Sequence, residues 1–533
     1  MKTGRIVIFL IFICCLSIIS MAQTPNLVPG HVSRSPNYWC TWYAQNYWVQ
    51  RGGEITDFNK ITNSAAREEL THDHIFNERD GWAVRYLPRG RNDWFFLIDH
   101  GWQTKDEKER IPGAEPFFSL QIDVRDFHPY GNIEPQESLR LFNEEIRNSG
   151  WRGLGIWVRG NVSAENAEKF VKWSKYAGIK YWKIDGGDTQ DFHAFKAKEQ
   201  YFPELTLEYV TGAGGNINPD WDISDKKEYP SVYDIGGVAQ EFMLQVLQHS
   251  DVFRTYDASP ILMTTTTLRR THDILKQTKN NPAYRSILNL QDDCNVAAGL
   301  GCLVASKRHP NFGERLYKGK DLHHQLSGKR HMQNRMNEPE RFGRWSRIAP
   351  AFAAGNGDYL YSTEELIDYY PYTEYDTWAT ATYGKVVYQS APAVMARNMP
   401  LPKVEVEGEA PYVMATTYPN GPVCIATEGR VRPENQWFYP KAIVTVQVKD
   451  VTRPIGIFGY YDMLIIEFAQ SVEEIKYLWA QDLLAESSAD IKELVKITGN
   501  VLMIPGMVIE KTGTSAGDPG DQSVPGLVIQ LAK

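Results

Sequence analysis

Between residues 36 and 300, short apolar segments alternate with amphipathic segments, and this alternation constrains the fold more than any other feature of the chain. A short apolar run between turn residues is typical of a buried strand, whereas an apolar stripe at every third or fourth residue is typical of a helix. Strands that alternate with helices predict a parallel sheet. The predicted strands are 38–43, 94–99, 154–158, 181–185, 206–210, 252–257 and 286–292.

Seven such units, with room for an eighth before residue 400, predict an α/β fold in which a (β/α)8 TIM barrel closes on itself. A doubly wound open sheet is the alternative. Helices are expected at 137–149, from the cap residue Ser163 to residue 177, at 237–249 and directly after Ser259-Pro260. The eighth unit lacks a clear pattern, and we assign 344–354 to its helix or its strand.

The composition changes near residue 400, where Pro400-Leu401-Pro402 indicates a boundary. Beyond it, β-rich runs separated by Pro, Gly and Asn predict a C-terminal antiparallel β-sandwich. These runs are 412–418, 423–427, 443–448, 463–468 and 527–531. The predicted organisation is therefore a signal peptide over 1–22, a catalytic barrel over 23–400 and a β-sandwich over 401–533.

The N-terminus has the pattern of a secretory signal peptide. Lys2 and Arg5 precede an apolar run that ends near Ser20, and cleavage is expected after Ala22. The run is short for a membrane span, so we expect export to a periplasm or beyond without stable membrane insertion. The formal net charge of −8 argues against nucleic acid as a partner.

The cysteines and histidines form no pattern that indicates a metal site. After removal of the signal segment, Cys40, Cys294, Cys302 and Cys424 remain, and their spacing fits no metal motif. We expect free, buried thiols. The segment 306–335 is basic and rich in histidine. The favoured interpretation of this segment is a solvent-exposed loop. The alternative is a rim that attracts an anionic sugar.

Asp185 is the first candidate for chemistry. It ends the fourth predicted strand, and Lys183 shares its face because side chains alternate along a strand. A cation two residues away favours an ionised carboxylate, which a glycosidase nucleophile requires. The alternative is a structural salt bridge inside the barrel, and the pair alone leaves the two interpretations about even.

Asp257 is the second candidate, at the end of the sixth predicted strand. A carboxylic acid there would protonate a leaving-group oxygen and later activate water. Taken alone, Asp257 is better explained as a helix cap before Ser259-Pro260. Two carboxylates at the carboxyl ends of strands in one barrel favour the pairing found in retaining glycosidases.

Other side chains at or near strand ends are candidates for binding a sugar, through hydroxyl contacts or ring stacking. Each has a structural alternative, such as a core position for an aromatic ring or an internal ion pair for a charged group. The candidate substrate-binding residues are Trp39, Asp99, His100, Trp102, Trp157, Lys183, Glu208 and Arg254.

These motifs resemble, in order and spacing, the glycoside hydrolase clan of the α-galactosidases, families 27 and 36. Trp39-Cys40-Thr41-Trp42 resembles a Gly-Trp-Asn-Ser-Trp motif, and Asp99-His100-Gly101-Trp102 resembles Asp-Asp-Gly-Trp. Lys183-Ile184-Asp185 resembles the Lys-x-Asp that carries the nucleophile. The segment from Glu208 to Gly215 resembles a glycine-rich loop without its cysteine, and Arg254-Thr255-Tyr256-Asp257 resembles the Arg-Thr-x-x-Asp that carries the acid/base.

The resemblance implies retaining exo-hydrolysis of a terminal α-galactoside-like sugar from an oligosaccharide or polysaccharide, without a metal or organic cofactor. His100 replaces an aspartate that binds the sugar in that clan, and the arginine-to-aspartate spacing is one residue shorter than in family 27. These departures favour a related sugar, such as N-acetylgalactosamine, β-L-arabinopyranose or an acidic or modified hexose. Two other functions stay open: a non-catalytic glycan-binding barrel, and a lyase acting on uronic-acid sugars.

Overall fold

The computed structural model describes most of the chain. The described residues are 24–49, 63–104, 120–131, 133–160, 162–185, 191–210, 240–255, 264–308, 316–317, 320–321, 335–371, 386–432 and 436–532. Several sequence-based predictions fall outside these ranges: the signal peptide over 1–22, the glycine-rich loop at 212–215, Asp257, the Ser259-Pro260 cap and most of the basic segment. They stay predictions.

The first half of the chain forms a sheet of eight parallel strands. Neighbours pair in the order β7-β6-β5-β4-β3-β2-β1-β8. A parallel bridge joins Asn289 to Leu303, and the Leu290 amide donates to the Leu303 carbonyl oxygen at 2.9 Å, so β7 reaches the start of β8. The strands are β1 Tyr38–Cys40, β2 Phe95–Ile98, β3 Gly153–Arg159, β4 Tyr181–Asp185, β5 Thr206–Tyr209, β6 Val252–Arg254, β7 Ile287–Asn289 and β8 Ala305–Ser306.

This order confirms the barrel prediction, because each strand pairs with the next along the chain and the last returns to the first. A doubly wound sheet would reverse direction at an internal strand. The helices of the described residues are α1 Trp42–Val49, α2 Asn63–Glu68, α3 His72–Phe76, α4 Trp82–Arg85, α5 Pro135–Asn148, α6 Ala164–Ala177, α7 His193–Tyr201, α8 Gln240–Gln248, α9 Thr264–Thr278, α10 Cys294–Leu300, α11 Asn337–Ile348 and α12 Gly506–Gly513.

Capping residues set the ends of α6 as the sequence predicts. The Ser163 hydroxyl oxygen accepts from the Asn166 amide at 3.2 Å, which satisfies one of the free N–H groups of the first turn. Gly178 ends the helix with a φ of 70°, a left-handed conformation that suits glycine. The core-facing residues of α5, Leu139, Phe142 and Ile146, are buried as predicted.

Two predicted elements differ from the structure. The first strand stops at Cys40, and α1 begins at Trp42, so 38–43 is not one strand. The eighth strand is Ala305–Ser306, so the strand alternative for 344–354 is wrong, whereas residues 344–348 of that segment lie in the helix α11. A strand of two ladder residues is too short for a period-2 pattern, which explains why the sequence does not reveal it.

The C-terminal region contains two larger sheets that share a core. An eight-stranded sheet has the order β11-β14-β16-β17-β21-β27-β23-β24, and a five-stranded sheet has the order β15-β20-β22-β26-β25. Buried residues from both, such as Val413, Ile425, Val444 and Leu464, form one cluster. All five predicted runs contain strands, but the sheets are mixed rather than antiparallel, because β14–β16, β17–β21 and β20–β22 pair in parallel.

The remaining strand bounds complete the description. They are β9 Leu316–Tyr317, β10 Lys320–Asp321, β11 Tyr359–Tyr361, β12 Glu365–Pro371, β13 Val386–Pro392, β14 Val394–Arg397, β15 Lys403–Glu405, β16 Tyr412–Thr417, β17 Val423–Glu428, β18 Arg430–Arg432, β19 Gln436–Phe438, β20 Ile443–Val448, β21 Ile455–Phe458, β22 Met463–Phe468, β23 Tyr477–Asp482, β24 Ala489–Asp490, β25 Lys496–Thr498, β26 Val501–Pro505 and β27 Gly526–Ala532.

The barrel and the C-terminal sheets are in direct contact. Strands β11 and β14 precede residue 400 and belong to the larger sheet. On the barrel side, Arg341 of α11 forms a buried ion pair with Asp482 of β23, with Nε to Oδ1 at 2.9 Å. A Cβ added at Gly299 would lie 2.7 Å from the Cβ of Met414, so α10 packs closely on β16. No helix within the described residues has the length and apolar character needed to cross a bilayer.

Candidate active site at the barrel mouth

Strand β4 places its polar side chains in the barrel lumen, as strict alternation predicts. Tyr181 packs with Tyr38, Phe95 and other lumen residues. Trp182 lies on the opposite face, where its indole N–H donates to the Ser174 hydroxyl of α6 at 2.9 Å. Lys183 and Asp185 follow Tyr181 on the lumen face. They lie toward the carboxyl end of the barrel, where the active sites of TIM-barrel enzymes are found.

A buried ion-pair network occupies the middle of the lumen. Glu208 of β5 accepts hydrogen bonds from Arg254 Nε at 3.0 Å, Asn289 Nδ2 at 2.7 Å, and the hydroxyls of Tyr38 at 3.2 Å and Tyr181 at 2.9 Å. Arg254 also donates to the Tyr38 hydroxyl. All five side chains are fully buried. These contacts satisfy the buried charges, so Glu208 and Arg254 have the environment of internal bracing residues rather than sugar ligands.

Nearer the mouth, Lys183 contacts two carboxylates. Its Nζ lies 2.7 Å from Asp99 Oδ2 and 3.5 Å from Asp185 Oδ2. Side-chain exposure is 3% for Lys183 and 4% for Asp99 but 27% for Asp185. Among these three groups, only Asp185 has appreciable contact with solvent. The prediction that Lys183 shares a face with Asp185 is therefore confirmed.

Asp99 is held as a buried carboxylate. Besides Lys183, the thiol of Cys40 contacts Asp99 Oδ2 at 3.0 Å. Burial alone would raise the pKa of Asp99, but the positive charges of Lys183 and Lys307 and the hydrogen bonds from Lys183 and Cys40 together lower it below its usual value. Because its exposed area is small and these donors surround it, Asp99 braces Lys183 in this structure.

Trp157 of β3 donates its indole N–H to Asp185 Oδ2 at 3.1 Å. Its backbone carbonyl accepts from Trp102 Nε1 at 2.9 Å and from Gln103 Nε2 at 3.1 Å. The His100 ring lies parallel to the indole, with centroids 4.0 Å apart and 9° between the planes. Trp157 is thus held through both its ring and its backbone.

His100 is neutral over the physiological pH range. Burial, and then the charge of Arg67, lower the pKa of His100 to about 3. The residue that replaces the aspartate of the resembled motif therefore contributes a flat, uncharged ring at the mouth. It packs on Trp157, which is itself a predicted sugar-binding residue.

Two of the predicted stacking residues lie in the core. Trp39 is fully buried between the barrel and its outer layer, where its ring lies 4.9 Å from that of Tyr86 and 5.3 Å from that of Phe96. Its indole N–H donates to the Arg308 carbonyl oxygen at 2.6 Å. Trp102 is also fully buried. Both positions are those of core residues, and neither ring is carried into the candidate site.

The structure also adds residues that the sequence analysis did not select. Cys40, Gln103, Lys307 and Arg159 contribute to the mouth or its support. Strand alternation from Trp157 would have placed Arg159 on the lumen face. The contacts of Cys40 and Gln103 join distant segments and have no signal in the sequence. The described cysteines, including Cys40, are free and buried as predicted. Among the described residues, no group of three or more His, Cys, Asp or Glu side chains is arranged to hold a metal ion.

The geometry gives Asp185 the properties of a nucleophile or general base. It ends a barrel strand, retains contact with solvent, and receives a cation and an N–H donor at one oxygen. A fixed carboxylate of this kind can attack an electrophilic carbon or accept a proton. Its predicted partner, Asp257, lies outside the described residues.

Comparisons with known proteins give only weak likenesses. No family model and no curated protein matches the chain. It is similar to a noncanonic maltogenic α-amylase from Thermotoga neapolitana, with 10% identity, a TM-score of 0.32, and coverage of 88% of this chain and 96% of that one. It is also similar to the catalytic domain of GH30 xylanase C from Talaromyces cellulolyticus, with 7% identity, a TM-score of 0.33, and coverage of 96% of this chain and 99% of that one. A third similar structure is a pyruvate carboxylase from Rhizobium etli, with 12% identity, a TM-score of 0.25, and coverage of 52% of this chain and 24% of that one.

Two of these three similar structures are glycoside hydrolases. The TM-scores and identities are too low to support a conclusion about this chain. The fold assignment therefore rests on the strand pairing, and the functional interpretation rests on the side chains at the barrel mouth.

Proposed function

We propose that this protein is an exported, retaining glycoside hydrolase that removes a terminal α-galactoside-like sugar from an oligosaccharide or polysaccharide. Asp185 is the nucleophile, and Asp257 is the general acid and then the general base. In this two-step reaction, Asp185 forms a glycosyl–enzyme ester while the leaving-group oxygen takes a proton, and water then hydrolyses the ester. The sugar specificity and the role of Asp257 come from the motif resemblance.

The position and contacts of Asp185 are the observation that supports the proposal most. A strand-end carboxylate whose only role was structural would be expected to be buried, as Asp99 is. Asp185 instead keeps 27% of its side chain exposed while Lys183 and Trp157 fix its orientation. Fixing an attacking group in place before the substrate arrives is a general source of catalytic rate.

The experiment uses Asp185→Asn and Asp257→Asn with a panel of aryl glycosides. Asp257→Asn is expected to lower kcat by about 10²- to 10⁴-fold, as for loss of a general acid, and Asp185→Asn by at least as much. Asp191→Asn is the control, because Asp191 lies six residues further along the chain and its side chain is 80% exposed. Full activity of both active-site variants would contradict the proposal.

Retention gives a second, independent measurement. A 2-deoxy-2-fluoro glycoside with a good leaving group should glycosylate the nucleophile, with loss of that leaving group, and label one peptide, the one that contains Asp185; Asp185→Asn should abolish the label. The anomer released first should have the configuration of the substrate. Release of the opposite anomer would show that Asp185 is not a nucleophile.

A non-catalytic glycan-binding barrel is the second candidate. The His100–Trp157 stack favours it, because a neutral ring packed on a buried tryptophan replaces an acidic residue of the resembled motif. The same panel separates the two functions: glycan binding without product release from any bound glycan would identify a binding protein.

A further inference from the structure

We propose that the barrel mouth contains a subsite for an anionic group, a carboxylate or a sulfate, on the sugar that Asp185 attacks, with Arg159 as its principal ligand and Arg67 as the neighbouring cation. This inference rests on the proposed glycosidase function and adds the class of substrate to it.

Arg159 occupies the position that such a subsite requires. It is the last residue of β3, and in the sheet register its Cα is the partner of the Asp185 Cα on β4. It lies two residues after Trp157, so it shares the lumen face on which Trp157 reaches Asp185. Unlike the rest of β3, Arg159 is exposed. Its guanidinium is therefore available to solvent at the rim, one strand away from the proposed nucleophile.

Arg67 brings a second positive charge to the same part of the rim. It lies in the last turn of α2 and is half-buried. A Cβ added at Gly101 would lie 2.6 Å from the Arg67 carbonyl oxygen and 2.9 Å from its Cα, so the loop after β2 packs directly on this residue. Gly101 has a φ of 130°, which suits glycine and permits that approach.

The two arginines influence the same groups. Burial and then the positive charge of Arg159 lower the pKa of Arg67, while Glu68 opposes the shift. Both arginines also disfavour the charged form of His100. Like charges in one partly buried region repel each other, and a bound anion would relieve that repulsion.

The carboxylates of Asp99 and Asp185 have other partners. Asp99 bonds to Lys183 and Cys40, and Asp185 contacts Lys183 and Trp157. Among the described residues, no carboxylate lies within ion-pair distance of Arg159.

The chemistry of arginine selects the ligand class. A guanidinium is planar and binds carboxylate, sulfate or phosphate oxygens through paired N–H donors. Because Arg159 and Asp185 are register partners on adjacent strands, we assign the anion to the ring that Asp185 attacks. A hexuronic acid or a sulfated hexose fits this description, and a neutral hexose leaves Arg159 without a ligand.

The test compares three aryl substrates that differ in one group: an α-galactoside, the matching α-galacturonide and the matching α-galactoside 6-sulfate. The wild type should prefer one of the two anionic substrates. Arg159→Gln should lower kcat/KM for that substrate by about 10- to 100-fold, the value of one charge-assisted hydrogen bond, and should leave the neutral substrate nearly unchanged. The preferred substrate tells carboxylate recognition from sulfate recognition.

Two further variants sharpen the test. Arg159→Lys keeps the charge but loses the paired geometry, so it should recover part of the selectivity. Arg147→Gln removes an exposed arginine near the end of α5 and should leave kcat/KM unchanged for all three substrates. A wild type that prefers the neutral substrate, or an Arg159→Gln variant that loses equal activity on all three, would overturn the subsite.

Binding to the Asp185→Asn variant separates this inference from the proposed function. Titration calorimetry with galacturonate, galactose 6-sulfate and galactose should show tighter binding of an anionic sugar, and adding Arg159→Gln should remove the difference. If Asp185→Asn is inactive and the anionic sugars bind no better than galactose, the subsite assignment is wrong and the proposed hydrolase function is retained. If Asp185→Asn is fully active but anion selectivity depends on Arg159, the assignment of Asp185 as the nucleophile is wrong and the subsite assignment is retained.

Discussion

The indole N–H of Trp157 donates to Asp185 Oδ2 at 3.1 Å, and the His100 ring stacks on the face of the same indole, with the ring centroids 4.0 Å apart. A tryptophan that the sequence suggests as a sugar-binding surface therefore contacts the proposed nucleophile itself. Its backbone is held by donors from Trp102 and Gln103. The arrangement fixes the direction from which Asp185 meets a substrate.

Replacing Trp157 with Phe should preserve the ring stacked on His100 but remove the hydrogen bond to Asp185. A hydrogen bond to a charged group contributes about 1.5–3 kcal/mol, so kcat should fall by about 10- to 100-fold with a smaller effect on KM. Steady-state kinetics on an aryl glycoside measures the change. Trp479→Phe, on the β23 strand of the C-terminal sheet, is the control and should have wild-type kinetics. A rise in KM alone would mean that Trp157 binds substrate rather than positions Asp185.

Removing one partner of the buried Lys183–Asp99 pair should destabilise the folded barrel far more than removing one partner of a surface pair. Lys183→Met leaves the Asp99 carboxylate buried without its cation, and breaking a buried pair in this way is expected to lower the free energy of unfolding by about 3–5 kcal/mol. Urea denaturation measures the difference. Lys180→Met is the matched control, because Lys180 pairs with Glu204 at the surface, and it should leave the urea midpoint nearly unchanged.

The alternation of β4 could be predicted from the sequence, and it correctly placed Lys183 and Asp185 on one face. The partner of Lys183 could not, because Asp99 is 84 residues away and reaches Lys183 only when β2 and β4 flank β3 in the closed sheet. Trp39 is a residue whose position could not be predicted from the local sequence. A tryptophan beside a strand end has the same local pattern whether it faces a ligand or the helices, and only the register of β1 places it in the core.

The Glu208–Arg254 pair should behave as one unit. Arg254→Leu removes the cation from a fully buried carboxylate and should lower the free energy of unfolding by about 3–5 kcal/mol. The double variant Glu208→Leu/Arg254→Leu should be less unstable than the sum of the two single variants, because neither charge then remains buried alone. Thermal and urea unfolding of the four proteins measure the coupling. Additive losses would contradict a pairwise bracing role for these two residues.

Glu428, at the end of β17, should make stability depend on pH. Burial raises the pKa of Glu428 to about 7, with Asp293 and Glu338 adding to the rise and Arg335 opposing it. The unfolded chain has a pKa of about 4.3, so the folded state binds the proton more tightly. This group's contribution to stability is therefore complete below about pH 4.3 and is lost as the pH rises through about 7.

Glu428→Gln removes the titration while keeping the side-chain shape. Its free energy of unfolding should exceed that of the wild type at about pH 8, where the wild type must hold a buried carboxylate, and the difference should shrink toward about pH 5. Urea denaturation at the two pH values measures it. Glu493→Gln, at an exposed position, is the control and should show no such pH dependence. A difference that grows as the pH falls would show that Glu428 is stabilised as a carboxylate, with Arg335 outweighing the penalty of burial.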